Sequence, residues 1–153
     1  MKLIVGLGNP DAQYRGTRHN VGFWCVEEFA KARSLQFVLK DKFKARIAGF
    51  GAGDAKVIIA QPTTYYNLSG EAVRIIADFY RISPRDILLV YDDMALPFGT
   101  LRTRWGGSDA GNNGVKSVTD HIGQDTARLR IGTANELRDR IDDADFVLSR
   151  FSV

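Results

Sequence analysis

An imidazole and a carboxylate held together can activate water. The neutral ring takes the proton as water attacks, and the acid on its other nitrogen fixes the tautomer and steadies the imidazolium. The sequence has two histidines, His19 and His121, and it places them very differently. His19 stands in Thr17-Arg18-His19-Asn20, shortly after a strand-like run that breaks at Gly6-Leu7-Gly8-Asn9-Pro10. Asp92 follows an almost wholly apolar run at 87–91 and is the natural partner carboxylate. Asn9, Asn67 and Asn113 supply amides that can donate to a carbonyl under attack. A helix-capping or purely structural histidine is the competing reading of His19. His121 reads as a cation or solvated residue at a helix C-terminus.

Other chemistries fit less well. Gly6-Leu7-Gly8 follows a strand and precedes a helix, as a dinucleotide fingerprint does, but Asp11 stands at the third glycine. The helix also starts about eight residues too late for its amides to meet a pyrophosphate. Gly106-Gly107-Ser108-Asp109-Ala110 nearly matches the nucleophile elbow of serine hydrolases, with Ala for the last Gly and only His121 downstream. Two His and one Cys do not fill a usual zinc set. Carboxylate-bound Mg²⁺ at Asp92-Asp93 stays open.

The elements that position these groups follow from periodicity. Asn20 reads as the N-cap of an amphipathic helix over 22–30. Strands are expected at 37–39, 44–50 and 56–60, with a hairpin turn at 51–54. A helix over 71–80 follows, its stripe formed by Ala72, Val73, Ile76, Phe79 and Tyr80. The 87–91 run has the composition of a strand buried on both faces, followed by a turn at 96–99. An Arg-bearing strand, the glycine-rich loop 106–114, a helix over 115–122 and a strand over 128–132 complete the pattern, and this alternation argues an α/β sheet. In such a sheet the ends of the first and central strands can meet at one edge, bringing Asn9, His19 and Asp92 together.

With 153 residues, 44% of them hydrophobic, the chain suffices for one domain, 1–153. The single Cys25 excludes an internal disulfide and suits a packing role, and no apolar run is long enough to span a bilayer. A reduced, cytoplasmic protein is expected. The net charge of +3 hints at a polyanionic partner. Arg102 with Arg104, and Arg128 with Arg130, alternate with apolar or neutral residues, so each pair should project from one strand face.

Several stretches in register carry more than spacing. Gly6-Leu7-Gly8-Asn9-Pro10, Tyr14, 17–20, 62–70, 92–97, Gly106-Gly107, Gly111 with Asn113-Gly114, and 128–132 resemble bacterial peptidyl-tRNA hydrolase in order along the chain. The resemblance implies a twisted mixed sheet flanked by helices, phosphorylase/hydrolase-like. It also implies cleavage of the ester between a peptide and the 3′ ribose of tRNA, by a monomer, without metal or cofactor. Carried across, His19 is the general base, Asp92 its orienting acid, and Asn9 the amide binding carbonyl and water. Asn67 and Asn113 bind peptide and 3′ end, Tyr14 lies beside the terminal adenosine, and Arg104 and Arg130 clamp the 5′ phosphate. Tyr65-Tyr66 replaces the family's usual Phe-Met, so Tyr66 alters the pocket floor. The 106–114 loop lacks the usual histidines, 132–136 departs from the usual pattern, and the sequence ends where the family's C-terminal helix is expected. A non-catalytic RNA-binding relative is the alternative reading.

Overall fold

The computed structural model describes residues 1–151, so the expected domain end at Val153 lies outside the described residues. Among these the chain forms, in order, β1 (Lys2–Gly6), α1 (Val21–Ala32), β2 (Val38–Lys40), β3 (Ala45–Phe50), β4 (Val57–Pro62), α2 (Ser69–Tyr80), β5 (Ile87–Pro97), β6 (Leu101–Trp105), α3 (Asn113–Ile122), β7 (Ala127–Ala134) and α4 (Asp143–Val147). The strands join in one sheet ordered β2-β3-β4-β1-β5-β7-β6. Pairing is parallel along β4-β1-β5-β7 and antiparallel at both edges, which makes the sheet mixed.

The central strands are apolar on both faces because both faces are covered. On one side Val26 and Ala30 of α1 pack with Ile59 and Val90. On the other, Val73 and Ile76 of α2 and Val115 and Val118 of α3 pack on Leu3, Val5 and Leu89. α1 approaches the sheet very closely: a Cβ on Gly6 would lie 2.6 Å from the Gly22 carbonyl oxygen, and one on Gly22 would lie 2.3 Å from that of Val90. Gly6 therefore serves helix-on-strand packing.

Four sequence expectations change. The turn expected at 96–99 is confined to Phe98 and Gly99, closed by Thr100 N–H on the Pro97 carbonyl, and β5 runs on to Pro97 because β7 goes on pairing with it beyond Asp92 and Asp93 across an irregularity. Helices α2 and α3 each begin two residues early, at Ser69 and Asn113. Phe79 lies outside the buried stripe, 57% exposed and edge-on to Phe43, while Ala77 turns inward. Asn20 makes no side-chain cap; a single 3₁₀ turn, Arg18–Asn20, leads into α1 and frees its amide for Asn9.

The last described segment is strapped to the turn that carries His19. Arg18, 1% exposed, donates to Ser149 Oγ at 2.6 Å and to the Arg150 carbonyl at 2.7 Å. Its guanidinium lies 4.5 Å from the ring centroid of the fully buried Phe146. Thr17 pairs with Arg150 in an isolated bridge.

Candidate active site

β1 and β5 run parallel, so both deliver their C-terminal ends to the same edge of the sheet. The Leu7 N–H donates to the Val90 carbonyl at 3.0 Å, which starts the turn carrying Asn9 beside the end of β5. There His19 and Asp92 meet, Nδ1 to Oδ2, at 2.8 Å. Asp92 is only 3% exposed, and an acid so buried needs donors on both oxygens. The second comes from Tyr66, whose hydroxyl donates to Oδ1 at 2.6 Å. With Nδ1 engaged, Nε2 is the imidazole nitrogen left to face the adjoining cavity.

Tyr66 also stacks on His19, with ring centroids 3.4 Å apart and planes 11° from parallel. Its hydroxyl accepts from Asn112 Nδ2 at 2.8 Å, and its backbone N–H donates to Asn9 Oδ1 at 2.8 Å. Burial first, and the Asp92 charge next, hold the Tyr66 phenol well above the usual range, so it stays a donor. Asn20 clasps the Asn9 backbone with two 2.9 Å hydrogen bonds, one to the N–H and one to the carbonyl. Because Asn9 Oδ1 takes the Tyr66 N–H, Nδ2 is the donor left on that side chain. Asn112 also caps α3, its Oδ1 accepting from the N–H groups of Gly114 and Val115 at 3.0 Å.

A cavity of about 280 Å³ opens beside this network, lined among others by His19, Asp92, Arg104, Asn113, Arg130 and Val147. Asn113 sits exposed on its rim, at the start of α3. Arg104 is exposed, whereas Arg130 is partly buried with Nη1 3.5 Å from Asp93 Oδ2. Asn9 lines a separate cleft of about 360 Å³ with Pro10, Phe23 and Gln61. Asn67 is exposed in the 3₁₀ turn Tyr66–Leu68 and does not line the His19 cavity. Tyr14 is half-buried, at the end of a 3₁₀ turn between β1 and α1.

Arg128 departs from its sequence reading, and Ser108 agrees with it. Arg128 does not project with Arg130 as a free charge; it is 1% exposed and donates to the carbonyls of Ser108 at 2.9 Å and Gln124 at 3.4 Å, pinning the glycine-rich loop. Ser108 has no base, since its hydroxyl accepts from the Ala110 N–H while His121 Nδ1 lies 2.8 Å from the Ser117 carbonyl on α3. Among the described residues no group of three or more His, Cys, Asp or Glu is arranged to hold a metal ion. The roles of Tyr66 and Asn112 were not read from the sequence. Asn112 had a signal, an Asn just before a helix, whereas the Tyr66 hydroxyl had none.

A family model described as peptidyl-tRNA hydrolase matches residues 3–153. The chain belongs to this family. A peptidyl-tRNA hydrolase of Gloeobacter violaceus is 46% identical over 137 residues, covering 89% of this chain and 69% of that one. One from Bacillus cytotoxicus is 46% identical over 154 residues, covering 99% of this chain and 81% of its own. The crystal structure of peptidyl-tRNA hydrolase from Acinetobacter baumannii superposes with a TM-score of 0.90 at 35% identity, over 99% of this chain and 77% of that one. No helix among the described residues is long and apolar enough to cross a membrane.

Proposed function

We propose that this chain hydrolyses the ester joining a peptide, or an N-blocked amino acid, to the 3′ ribose of tRNA, as a cytoplasmic monomer. The 2.8 Å contact between His19 and Asp92, with Nε2 left toward the cavity, carries the reading. Water attacks the ester carbonyl as Nε2 takes its proton, and Asp92 steadies the imidazolium. The tetrahedral oxyanion accepts hydrogen bonds from amide donors, of which the side chain of Asn113, on the wall of the His19 cavity, and Nδ2 of Asn9, in the cleft with Pro10 and Phe23, are the candidates. Collapse breaks the bond to the ribose 3′ oxygen, which takes the proton back from His19; a free peptide acid and tRNA result. Tyr14 and Asn67 contact the 3′ end and the peptide at the rim, and Arg104 and Arg130 meet backbone phosphate.

A non-catalytic RNA-binding role is not favoured, because the base and acid are in contact beside an open cavity. The test is His19→Ala in the full chain. Cleavage of N-blocked aminoacyl-tRNA should be abolished while tRNA binding stays within about twofold, since truncation removes the base and no phosphate contact. Equal turnover by variant and parent would dismiss the assignment.

A further inference from the structure

We propose that Tyr66 is a positioning residue for this reaction: its hydroxyl assigns Asp92 Oδ2 to His19, its ring sets the plane of the imidazole, and Asn112 holds the hydroxyl in place. The proposal rests on the reading of His19 as general base. Its premise is the direction of the proton on the phenol. Asn112 Nδ2 can only donate, so the single Tyr66 hydroxyl proton must go to Asp92. With Oδ1 occupied, Oδ2 is the oxygen that remains for Nδ1 of His19.

A mere core residue would not be built this way. An apolar side chain at 66 would leave Oδ1 of a 3% exposed carboxylate without this donor. Tyr66 instead touches three groups of the site at once, Asp92 through its hydroxyl, His19 through its ring and Asn9 through its backbone N–H. It is also wedged from behind. A Cβ on Gly114, in the first turn of α3, would stand 2.5 Å from the Tyr66 ring, so the helix packs directly against it. The ring is thus held between α3 and the imidazole.

The sign of the consequence follows. A carboxylate already accepting from a phenol is a weaker acceptor for a second proton-bearing group, so removing the phenol's proton strengthens the pull of Asp92 on His19. Tyr66→Phe retains the stacked ring and removes only the hydroxyl. His19 should then titrate at higher pH than in the parent, by about half of the roughly 1–2 units that a whole hydrogen bond to a charged group is worth, since the bond is lost in both protonation states of the ring. The other charged groups on the cavity wall, Asp93, Arg104, Asp109, Arg130 and Asp143, are untouched by this change.

The experiment follows the His19 imidazole by NMR titration in the full-length parent and in Y66F, without substrate, alongside single-turnover cleavage against pH. In a folded Y66F the His19 titration and the acidic limb of the rate profile should move up together. The plateau kcat should nonetheless fall about tenfold, with KM within about twofold, because the carboxylate is no longer held in register with the imidazole while substrate contacts are unchanged. A folded Y66F whose titration and acidic limb coincide with the parent's overturns the proposal, whatever its kcat. If Y66F does not fold, N112S takes its place, since serine keeps an N-cap oxygen for α3 while withdrawing the donor from the phenol. Its titration must shift the same way by a smaller amount, and a coincident curve again overturns the proposal. Because the titration needs no turnover, a parent that fails to cleave peptidyl-tRNA would sink the function while leaving this test intact.

Discussion

Replacing Asp92 with Asn changes one atom and almost no volume, yet it should nearly stop the reaction. Both oxygens of Asp92 accept, Oδ2 at His19 Nδ1 and Oδ1 at the Tyr66 hydroxyl. An asparagine has one acceptor and one donor for these two places. If its oxygen faces Tyr66, its NH₂ meets Nδ1 and forces the ring proton onto Nε2, the atom that must receive one. If its oxygen faces His19, the tautomer survives but the negative charge that steadies the imidazolium is gone, and two donors converge on the Tyr66 oxygen. Unit charges about 4 Å apart at an effective dielectric near 20 interact by about 4 kcal/mol, close to a thousandfold in rate. Single-turnover cleavage at saturating enzyme should therefore slow by about 10³-fold or more, as expected when an orienting acid is lost. Binding of an uncleavable tRNA analogue, measured in parallel, should stay within about twofold. A rate loss below about tenfold, or an equal loss in binding, would refute the reasoning.

Three further outcomes are expected. Arg130→Ala, which removes a cavity-wall guanidinium beside Asp93, should flatten the salt dependence of full-length tRNA cleavage by about one counterion per phosphate contact. A minimal 3′-adenosine ester substrate should be nearly indifferent to both salt and variant, and equal salt slopes for the two substrates would remove the arginine from the site. Gly114→Ala should cost about 1–3 kcal/mol of stability by pressing on Tyr66, read as a lower denaturation midpoint together with a lower kcat; a midpoint equal to the parent's would contradict the packing. The raised Tyr66 phenol gives the fourth. The unfolded chain binds this proton less tightly than the folded one, so the contribution is whole below about pH 10 and declines as pH rises further. Denaturation from pH 8 to 11 should show this decline in the parent and a shallower one in Y66F, and parallel curves would contradict it.

The fold was legible wherever local pattern and tertiary demand agree. The apolar 87–91 run, the 3.6-residue stripes of α1 and α2 and the spacing of the Arg-bearing strands all point to elements that form. Errors fall where a neighbour decides. β5 continues past a stretch rich in turn residues because β7 offers ladder partners, which no property of residues 92–97 reveals. Asn20 has the right type and place for a helix cap, but the backbone of Asn9, eleven residues earlier, competes for the same amide. Arg128 and Arg130 share a strand face, yet only the fold of the 106–114 loop decides that Arg128 is enclosed by carbonyls while Arg130 reaches the cavity wall.

The same distinction explains the site. That an imidazole and an acid were worth pairing could be read from residue types, because acid and base chemistry leaves a short list of candidates in a chain with two histidines. What holds them could not be. Tyr66 differs from an ordinary apolar floor residue by one oxygen, and that oxygen matters only because Asp92 has an unused acceptor and Asn112 an unused donor within 2.8 Å of it. Each requirement is set by a different element, the end of β5, the turn before α2 and the cap of α3. Asn112 links them, since one amide caps a helix with its oxygen and fixes a phenol with its nitrogen. A substitution at 112 should therefore act on the stability of α3 and on the orientation of the imidazole together, while a substitution at Asn113, one residue along and exposed, should act on substrate alone.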